Sequence, residues 1–177
     1  MCSTLARHAF AAVAAVATTA ALATPVAGAQ SFSFEITTAP RCDSASPAEV
    51  EELVTEIHEE TNREREAAGQ NPVKRLDSLD DIAQTWSSQM ANENRMYHNP
   101  NIRDQVSTTY PGQWRSYGEN VLQNWCGKTG KDLVTQWMNS LPHRLNLINP
   151  AHTHLGVGVA VADNKKLFAT QNFVSLR

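Results

Sequence analysis

The sequence predicts an α+β layered fold. Helical patterns come first along the chain, strand patterns are mixed with helices later, and the C-terminus has the pattern of a strand hairpin. This order is typical of a domain in which helices cover a sheet, rather than one in which helices alternate with parallel strands. The chain has 177 residues, a length that suits one domain with short appendages.

The first 29 residues form a separate segment with the order of a secretory signal peptide. Arg7 and His8 provide a short basic start, residues 9–23 carry no charge, and Ala27-Gly28-Ala29 forms a signal peptidase site. This order is typical of an exported protein, and the apolar run is too short to be a good spanning helix. We therefore predict secretion, to the extracellular space or cell envelope, with cleavage after Ala29. An uncleaved anchor is the alternative.

The mature chain, Gln30 to Arg177, is acidic and has two cysteines. Loss of Arg7 changes the formal charge from −3 to −4, a balance that favours neither nucleic acid nor anionic lipid as a partner. No further apolar segment reaches membrane-spanning length. Cys42 and Cys126 remain after cleavage, and an even count in an exported chain predicts one disulfide bond between them. Two unpaired thiols are the alternative.

Residues 30–45 are predicted to be an N-terminal arm, and residues 46–177 the domain itself. The domain begins with Ser46-Pro47-Ala48-Glu49, a capping box that has proline in the first helical turn. The helix that follows runs to about Ala68, where Gly69 supplies a C-terminal stop.

Two further amphipathic helices are predicted in the middle of the chain. One runs from Ser78 to about Arg95, with Trp86 and Met90 on its core-facing side. The other runs from Thr129 to Asn139. Residues 99–113 between them have the composition of a long loop, and long ordered loops are often functional.

The strand patterns lie in the second half of the chain. Residues 116–125 predict a turn at Gly118 and then a short strand, and residues 143–148 predict a short turn or helix. Leu155 to Ala162 and Leu167 to Leu176 are rich in β-branched and small residues around a polar turn. They predict an antiparallel hairpin.

Histidines and a carboxylate are the candidates for chemistry, because the chain lacks the common nucleophile, phosphate-loop and local zinc motifs. Two histidines and a carboxylate, such as His98, His143 and Glu119, can hold zinc and leave a position for a water nucleophile. Their spacing forms no local ligand motif, and each could instead be a structural residue. His152 and His154 form a weaker alternative pair.

Five motifs, in this order, resemble the CAP domain of the cysteine-rich secretory, antigen 5 and pathogenesis-related proteins, above all its bacterial branch. The motifs are Tyr97-His98-Asn99, Gly118-Glu119-Asn120-Val121, Trp137 to Ile148, Leu155 to Ala160, and Gln171-Asn172-Phe173. The resemblance covers about Val50 to Val174. It implies a three-layer α-β-α sandwich with a central antiparallel sheet.

The resemblance also implies a cleft where two histidines and two glutamates meet, commonly with a divalent cation such as zinc. Residue by residue, His98, Glu119 and His143 match as catalytic candidates, and the two histidines as metal ligands. The second glutamate has no match. Asn139 and Ser140 stand near its place and could hydrogen-bond a histidine, a ligand or a metal-bound water, but neither adds negative charge, so metal affinity could be weaker.

The resemblance implies a secreted binding or interaction protein, whose extracellular ligand would be a lipid such as a sterol, a peptide or a protein. The region from Trp114 to Trp125 would form one wall of a ligand groove. A metal-assisted, peptidase-like hydrolase is the alternative, with Glu119 as general base beside His98 and His143. A structural protein of the cell envelope is a third. The sequence leaves open whether the protein is an enzyme.

Overall fold

The computed structural model describes residues 46–177. These residues form the following helices and strands: α1 Pro47–Ala67, β1 Lys74–Arg75, α2 Asp77–Glu93, α3 Ile102–Thr109, β2 Trp114–Trp125, α4 Gly130–Met138, α5 Leu141–Leu147, β3 His154–Val161 and β4 Lys166–Leu176. In this part of the chain, no helix is both long enough and apolar enough to span a bilayer. The signal peptide, the arm and Cys42 lie outside the described residues, so export, cleavage, domain boundaries and the disulfide stay predictions.

The sheet has the strand order β1-β3-β4-β2. Both β2 and β3 pair with β4 in the antiparallel sense, while the two-residue β1 pairs with β3 in parallel. The predicted antiparallel sheet is therefore confirmed for its three long strands, and β1 makes the complete sheet mixed. The β3–β4 hairpin is also confirmed.

Strand β2 is longer than the sequence predicts. It pairs with β4 from Trp114 to Trp125, so Gly118 lies within the strand and the predicted turn there is wrong. The physical reason is the long partner strand, which pairs residues on both sides of Gly118. Because of this pairing, Glu119 lies in the middle of an edge strand, directly opposite Asn172.

Helices cover both faces of the sheet. Successive residues of a strand point to opposite faces, and in β2 Val121 packs with Trp86 and Met90 of α2, whereas Leu122 belongs to the cluster that includes Trp137 of α4. Helices α2 and α3 thus form one outer layer, and α1, α4 and α5 form the other. The α+β fold with three layers is confirmed.

The first helix begins and ends where the sequence predicts. The Ser46 N–H donates to the Glu49 carboxylate at 2.7 Å, and the Glu49 N–H donates to Ser46 Oγ at 3.3 Å, which completes the capping box. Gly69 has a φ of +73° just beyond the helix, a conformation that favours glycine. A second capping box, formed by Thr129 and Asp132, begins α4.

The loop predicted for residues 99–113 is wrong in its centre, where α3 forms. Ile102 and Val106 are four residues apart and therefore share one helix face. Both are buried in a cluster with Leu79 and Val174. The two prolines of this stretch flank the helix, so neither interrupts its hydrogen bonds.

Candidate functional site

The candidate residues lie around edge strand β2, which neighbours β4 alone among the described strands. Glu119 lies on β2 itself, His98 follows α2 in one helical layer, and His143 lies on α5 in the other. The Asn120 side chain, next to Glu119 on β2, donates to the His143 carbonyl at 3.0 Å, so His143 lies beside the strand that carries Glu119. We call the space between these three residues the histidine cleft.

His98 and Glu119 form a hydrogen-bonded pair. His98 Nδ1 lies 2.7 Å from Glu119 Oε1, and the backbone N–H of Asn99 donates to the same oxygen at 2.9 Å. The Glu119 side chain is 4% exposed and that of His98 is 64% exposed. The buried carboxylate therefore holds an exposed imidazole through Nδ1 and leaves Nε2 toward solvent or a ligand.

Burial shifts the pKa of two residues of the cleft. It raises the pKa of Glu119, against the opposing effects of the Asn99 N–H and of His98. Burial also lowers the pKa of His143, with a smaller contribution from His98. The shift favours the neutral ring of His143, which offers one donor and one acceptor.

Asparagines join β2 to the helix that carries His143. Asn120 Nδ2 donates to the His143 carbonyl at 3.0 Å and to Gln171 Oε1 at 3.1 Å. Asn146 Nδ2 donates to the Glu119 carbonyl and to Asn120 Oδ1, both at 3.1 Å. These bonds fix α5 against the strand that presents Glu119.

A cavity of about 360 Å³ adjoins the histidine cleft. Its lining combines apolar and polar side chains: Met96, Val121, Leu122, Gln123, Gln136, Trp137, Ser140 and His143. We call it the Trp137 cavity, because that large side chain is fully buried there. Of the predicted groove wall between Trp114 and Trp125, residues 121–123 line this cavity.

The two residues proposed in place of the second glutamate differ in position. Ser140 is partly buried and lines the Trp137 cavity. Asn139 is exposed, and its backbone N–H closes the end of α4 on the Thr135 carbonyl at 3.0 Å. The geometry thus favours Ser140 over Asn139 as a ligand contact.

The alternative pair of histidines lies elsewhere. His152 is buried and stacks on Phe173, with ring centroids 5.2 Å apart. Phe173 lies opposite Gly118 in the sheet, on the face away from Glu119. His154 Nδ1 contacts Thr153 Oγ1 at 2.8 Å. His152 is therefore separated from Glu119 by the sheet.

The described residues do not fit a metal centre. In residues 46–177, no three His, Cys, Asp or Glu side chains are grouped so that they could hold one ion. Glu119 Oε1 is already bonded to His98 and to Asn99. Two histidines without a convergent third ligand fall short of a zinc site.

Sequence reasoning assigned no role to Asn146, Trp137 or Gln171. Asn146 stands three residues after His143, so on a helix both lie near the same side, and this spacing was an available signal. Gln171 is fully buried and donates to Thr61 of α1 at 2.8 Å. That long-range contact has no local signal in the sequence.

The family model of the cysteine-rich secretory proteins, CAP, matches residues 58–173, which include all three residues of the histidine cleft. The chain belongs to the CAP family. The predicted resemblance is thereby confirmed.

The chain is similar to part of a longer curated protein. It is 30% identical over 118 residues to YkwD of Bacillus subtilis, and the match spans 65% of this chain and 45% of that protein. The chain therefore spans less than half of this relative.

Solved bacterial structures share the fold. An extracellular protein containing an SCP domain, from Bacillus anthracis, has a TM-score of 0.59 and 27% identity over 74% of this CAP chain and 44% of its own. A cysteine-rich secretory protein from Staphylococcus aureus has a TM-score of 0.60 and 21% identity over 75% and 42%. This chain therefore matches less than half of each of these two proteins.

Proposed function

We propose that this CAP protein acts outside the cell and binds a small amphiphilic ligand in the Trp137 cavity. The observation that carries the proposal is the position of this cavity, which has an apolar wall, includes Ser140 and reaches His143 of the histidine cleft. Its volume, about 360 Å³, lies within the range of roughly 300–1,000 Å³ that is common for small-molecule sites.

The lining favours a ligand with an apolar body and one uncharged polar group. Val121, Leu122 and Trp137 would contact the body, while Ser140 and His143 would contact the polar group. Because burial lowers the pKa of His143 and so favours its neutral ring, a hydroxyl or carbonyl suits it better than an anion does. Sterols and fatty-acid esters have this chemistry, and they are the probes we choose.

Export is supported by the signal-like N-terminus. The order of charge, apolar run and small-residue site in residues 1–29 is typical of secretion. The similar protein of Bacillus anthracis is described as extracellular. Edman sequencing of the protein recovered from culture medium should begin at Gln30.

The ligand proposal is tested by filling the cavity. In Ser140→Phe the new ring would occupy the Trp137 cavity, whereas in Asn139→Phe it would lie in solvent. We expect labelled sterol or fatty-acid ester to bind the wild type and Asn139→Phe saturably, and Ser140→Phe at least about tenfold more weakly. If the wild type shows no displaceable binding, the ligand is not one of these lipids. If the wild type and both variants bind equally, the ligand does not bind in the Trp137 cavity.

The His98–Glu119 pair favours hydrolysis as a second candidate function. A buried carboxylate that orients an imidazole through Nδ1 leaves Nε2 to accept a proton, as in hydrolytic triads. The sequence suggests Glu119 as general base, but its hydrogen bonds to His98 and Asn99 suit an orienting role better. His98 would then be the base.

A peptide-library digest tests the hydrolase. We expect His98→Asn to abolish cleavage, and Glu119→Gln to reduce it about 10²-fold or more, in line with the usual effect of general-base catalysis. Cleavage at equal rates by the wild type and both variants would indicate a contaminating enzyme and remove this candidate.

A further inference from the structure

Glu119 and Asn172 carry buried polar atoms that the histidine cleft does not use. In the described chain, Glu119 Oε2, Asn172 Oδ1 and Asn172 Nδ2 are buried without a hydrogen-bond partner. Asn172 is fully buried. A buried polar group without a partner destabilises the folded state, so three such atoms on two residues indicate a shared partner.

The sheet register places these atoms together. Glu119 of β2 lies directly opposite Asn172 of β4, and opposite residues of an antiparallel pair point to the same face with Cβ atoms about 4.5–5.5 Å apart. The face is that of α2, because Thr170, two residues before Asn172, accepts a hydrogen bond from Ser87 of α2 at 2.9 Å. Both side chains therefore lie on the same face of the sheet, the one that α2 covers at β3 and β4.

On the other side, β3 offers no side chain to Asn172. Its residue opposite Asn172 is Gly156, and a Cβ there would lie 2.2 Å from the backbone of Leu79 in α2. The close approach of α2 encloses this end of the site. A partner that Asn172 shares with Glu119 must therefore be small.

We propose that Glu119 and Asn172 together bind one buried water molecule, through which Asn172 positions Glu119. The water would donate one hydrogen to Glu119 Oε2 and the other to Asn172 Oδ1, and would accept a hydrogen from Asn172 Nδ2. Three protein partners is the usual number for a buried water. All three unpaired atoms are then satisfied, and each is used in its proper role as donor or acceptor.

The water fixes the carboxylate from behind. With Oε2 held toward Asn172, Oε1 stays directed at His98 Nδ1 and the Asn99 N–H, which it contacts at 2.7 and 2.9 Å. Asn172 is thus a positioning residue that acts through Glu119. The inference concerns the ligand-free protein and does not depend on the ligand or on the proposed hydrolysis.

The first test measures the pKa of Glu119 by carbon-13 NMR of its side-chain carboxyl group. Asn172→Leu keeps the volume and removes the polar atoms that hold the water. Because a donated hydrogen bond favours the ionised carboxylate, we expect the pKa of Glu119 to rise by about one unit, a tenfold change in proton affinity. The matched control is Thr170→Val, on the same strand and face but opposite Val121, which should leave the pKa unchanged.

A second measurement needs no variant. In the wild type, the side-chain amide hydrogens of Asn172 should show a nuclear Overhauser effect to a long-lived water. An unchanged pKa in folded Asn172→Leu, or no such water signal in the wild type, would overturn the inference. If Asn172→Leu does not fold, the wild-type experiment decides alone, and neither result bears on the binding assay with Ser140→Phe.

Discussion

Arg65 is a fully buried guanidinium that binds four backbone carbonyl oxygens. Nε donates to Asn71 at 2.9 Å, Nη1 to Leu147 and Asn149 at 2.8 and 3.0 Å, and Nη2 to His152 at 3.3 Å. The planar guanidinium holds its N–H donors in fixed directions, which suits hydrogen bonds to four separate carbonyl oxygens. One residue of α1 thereby fixes the end of α5 and the segment before β3, and so supports the helix that carries His143.

His152 should make the domain sensitive to acid. Burial, assisted by the charge of Arg65, lowers the pKa of His152 to about 4. The stability that a neutral His152 contributes is present above its usual pKa of about 6.5 and is lost as the pH falls toward 4. Between about pH 7.5 and 4, we expect the wild type to lose about 3 kcal/mol more of its unfolding free energy than His152→Phe does.

Urea unfolding at several pH values measures this difference. The variant keeps an aromatic ring against Phe173, so the comparison removes the titrating group with little change in packing. Parallel pH dependence of the two proteins would contradict the assignment to His152.

Zinc should not bind the histidine cleft as arranged here, because the described residues bring no third ligand to His98 and His143. In a calorimetric titration of metal-free protein, we expect no saturation near one equivalent. The double variant His98→Ala/His143→Ala should give the same trace. Saturation at one equivalent that disappears in the double variant would restore the metal site and require these side chains to move.

At the scale of elements, side chains of α2 cover the part of the β3 edge that pairs with no other strand in residues 46–177. Beyond the two residues paired with β1, the Val157 N–H donates to Asp80 Oδ1 at 2.7 Å. Gln84 accepts from the Val159 N–H at 3.0 Å and donates to the Val159 carbonyl at 2.8 Å. The Gln84 amide therefore occupies the backbone N–H and carbonyl of Val159, which a neighbouring strand would otherwise pair with. Covering them protects the domain, because exposed strand edges promote aggregation.

Replacement of Gln84 should expose this edge. Gln84→Met keeps the length of the side chain but leaves both Val159 groups unpaired, so we expect a loss of about 1–3 kcal/mol in the free energy of unfolding. Gln89→Met, on an exposed site of the same helix, is the matched control and should change it by less than about 0.5 kcal/mol. Equal unfolding curves for the two variants would mean that water replaces Gln84 at no cost.

At the scale of the whole molecule, the predicted disulfide would join the N-terminal arm to the domain. Cys126 directly follows β2, and Cys42 precedes α1 along the chain. We expect a non-reducing digest of the exported protein to yield one peptide pair linked through these cysteines. Recovery of both as alkylated thiols would contradict the bond.

The energetic effect of that bond is measurable separately. A bridge that closes a loop of this length contributes about 4 kcal/mol in the loop-entropy model. Cys126→Ser should lose that amount of unfolding free energy, and the reduced wild type should match the variant. A variant as stable as the oxidised wild type would show that the loop is already constrained without the bond.

Much of the fold could be predicted because its signals are local. The capping box at Ser46, the stop at Gly69 and the β-branched runs of the final hairpin each act within a few residues, and each predicted the observed element. Helix α3 was missed because its two buried apolar residues, Ile102 and Val106, pack against Leu79 and Val174, which are distant in the sequence.

The sequence by itself determined the family and the α+β class, because short motifs in a fixed order identify them, and it predicted the three residues of the cleft. Only the tertiary structure decided what those residues do to one another. It placed the Glu119 carboxylate against His98 Nδ1 and set Asn172 opposite Glu119 on the neighbouring strand. It also put Ser140, rather than Asn139, in the cavity wall. Such relations depend on strand register and on helix packing, which bring together residues that no local pattern connects.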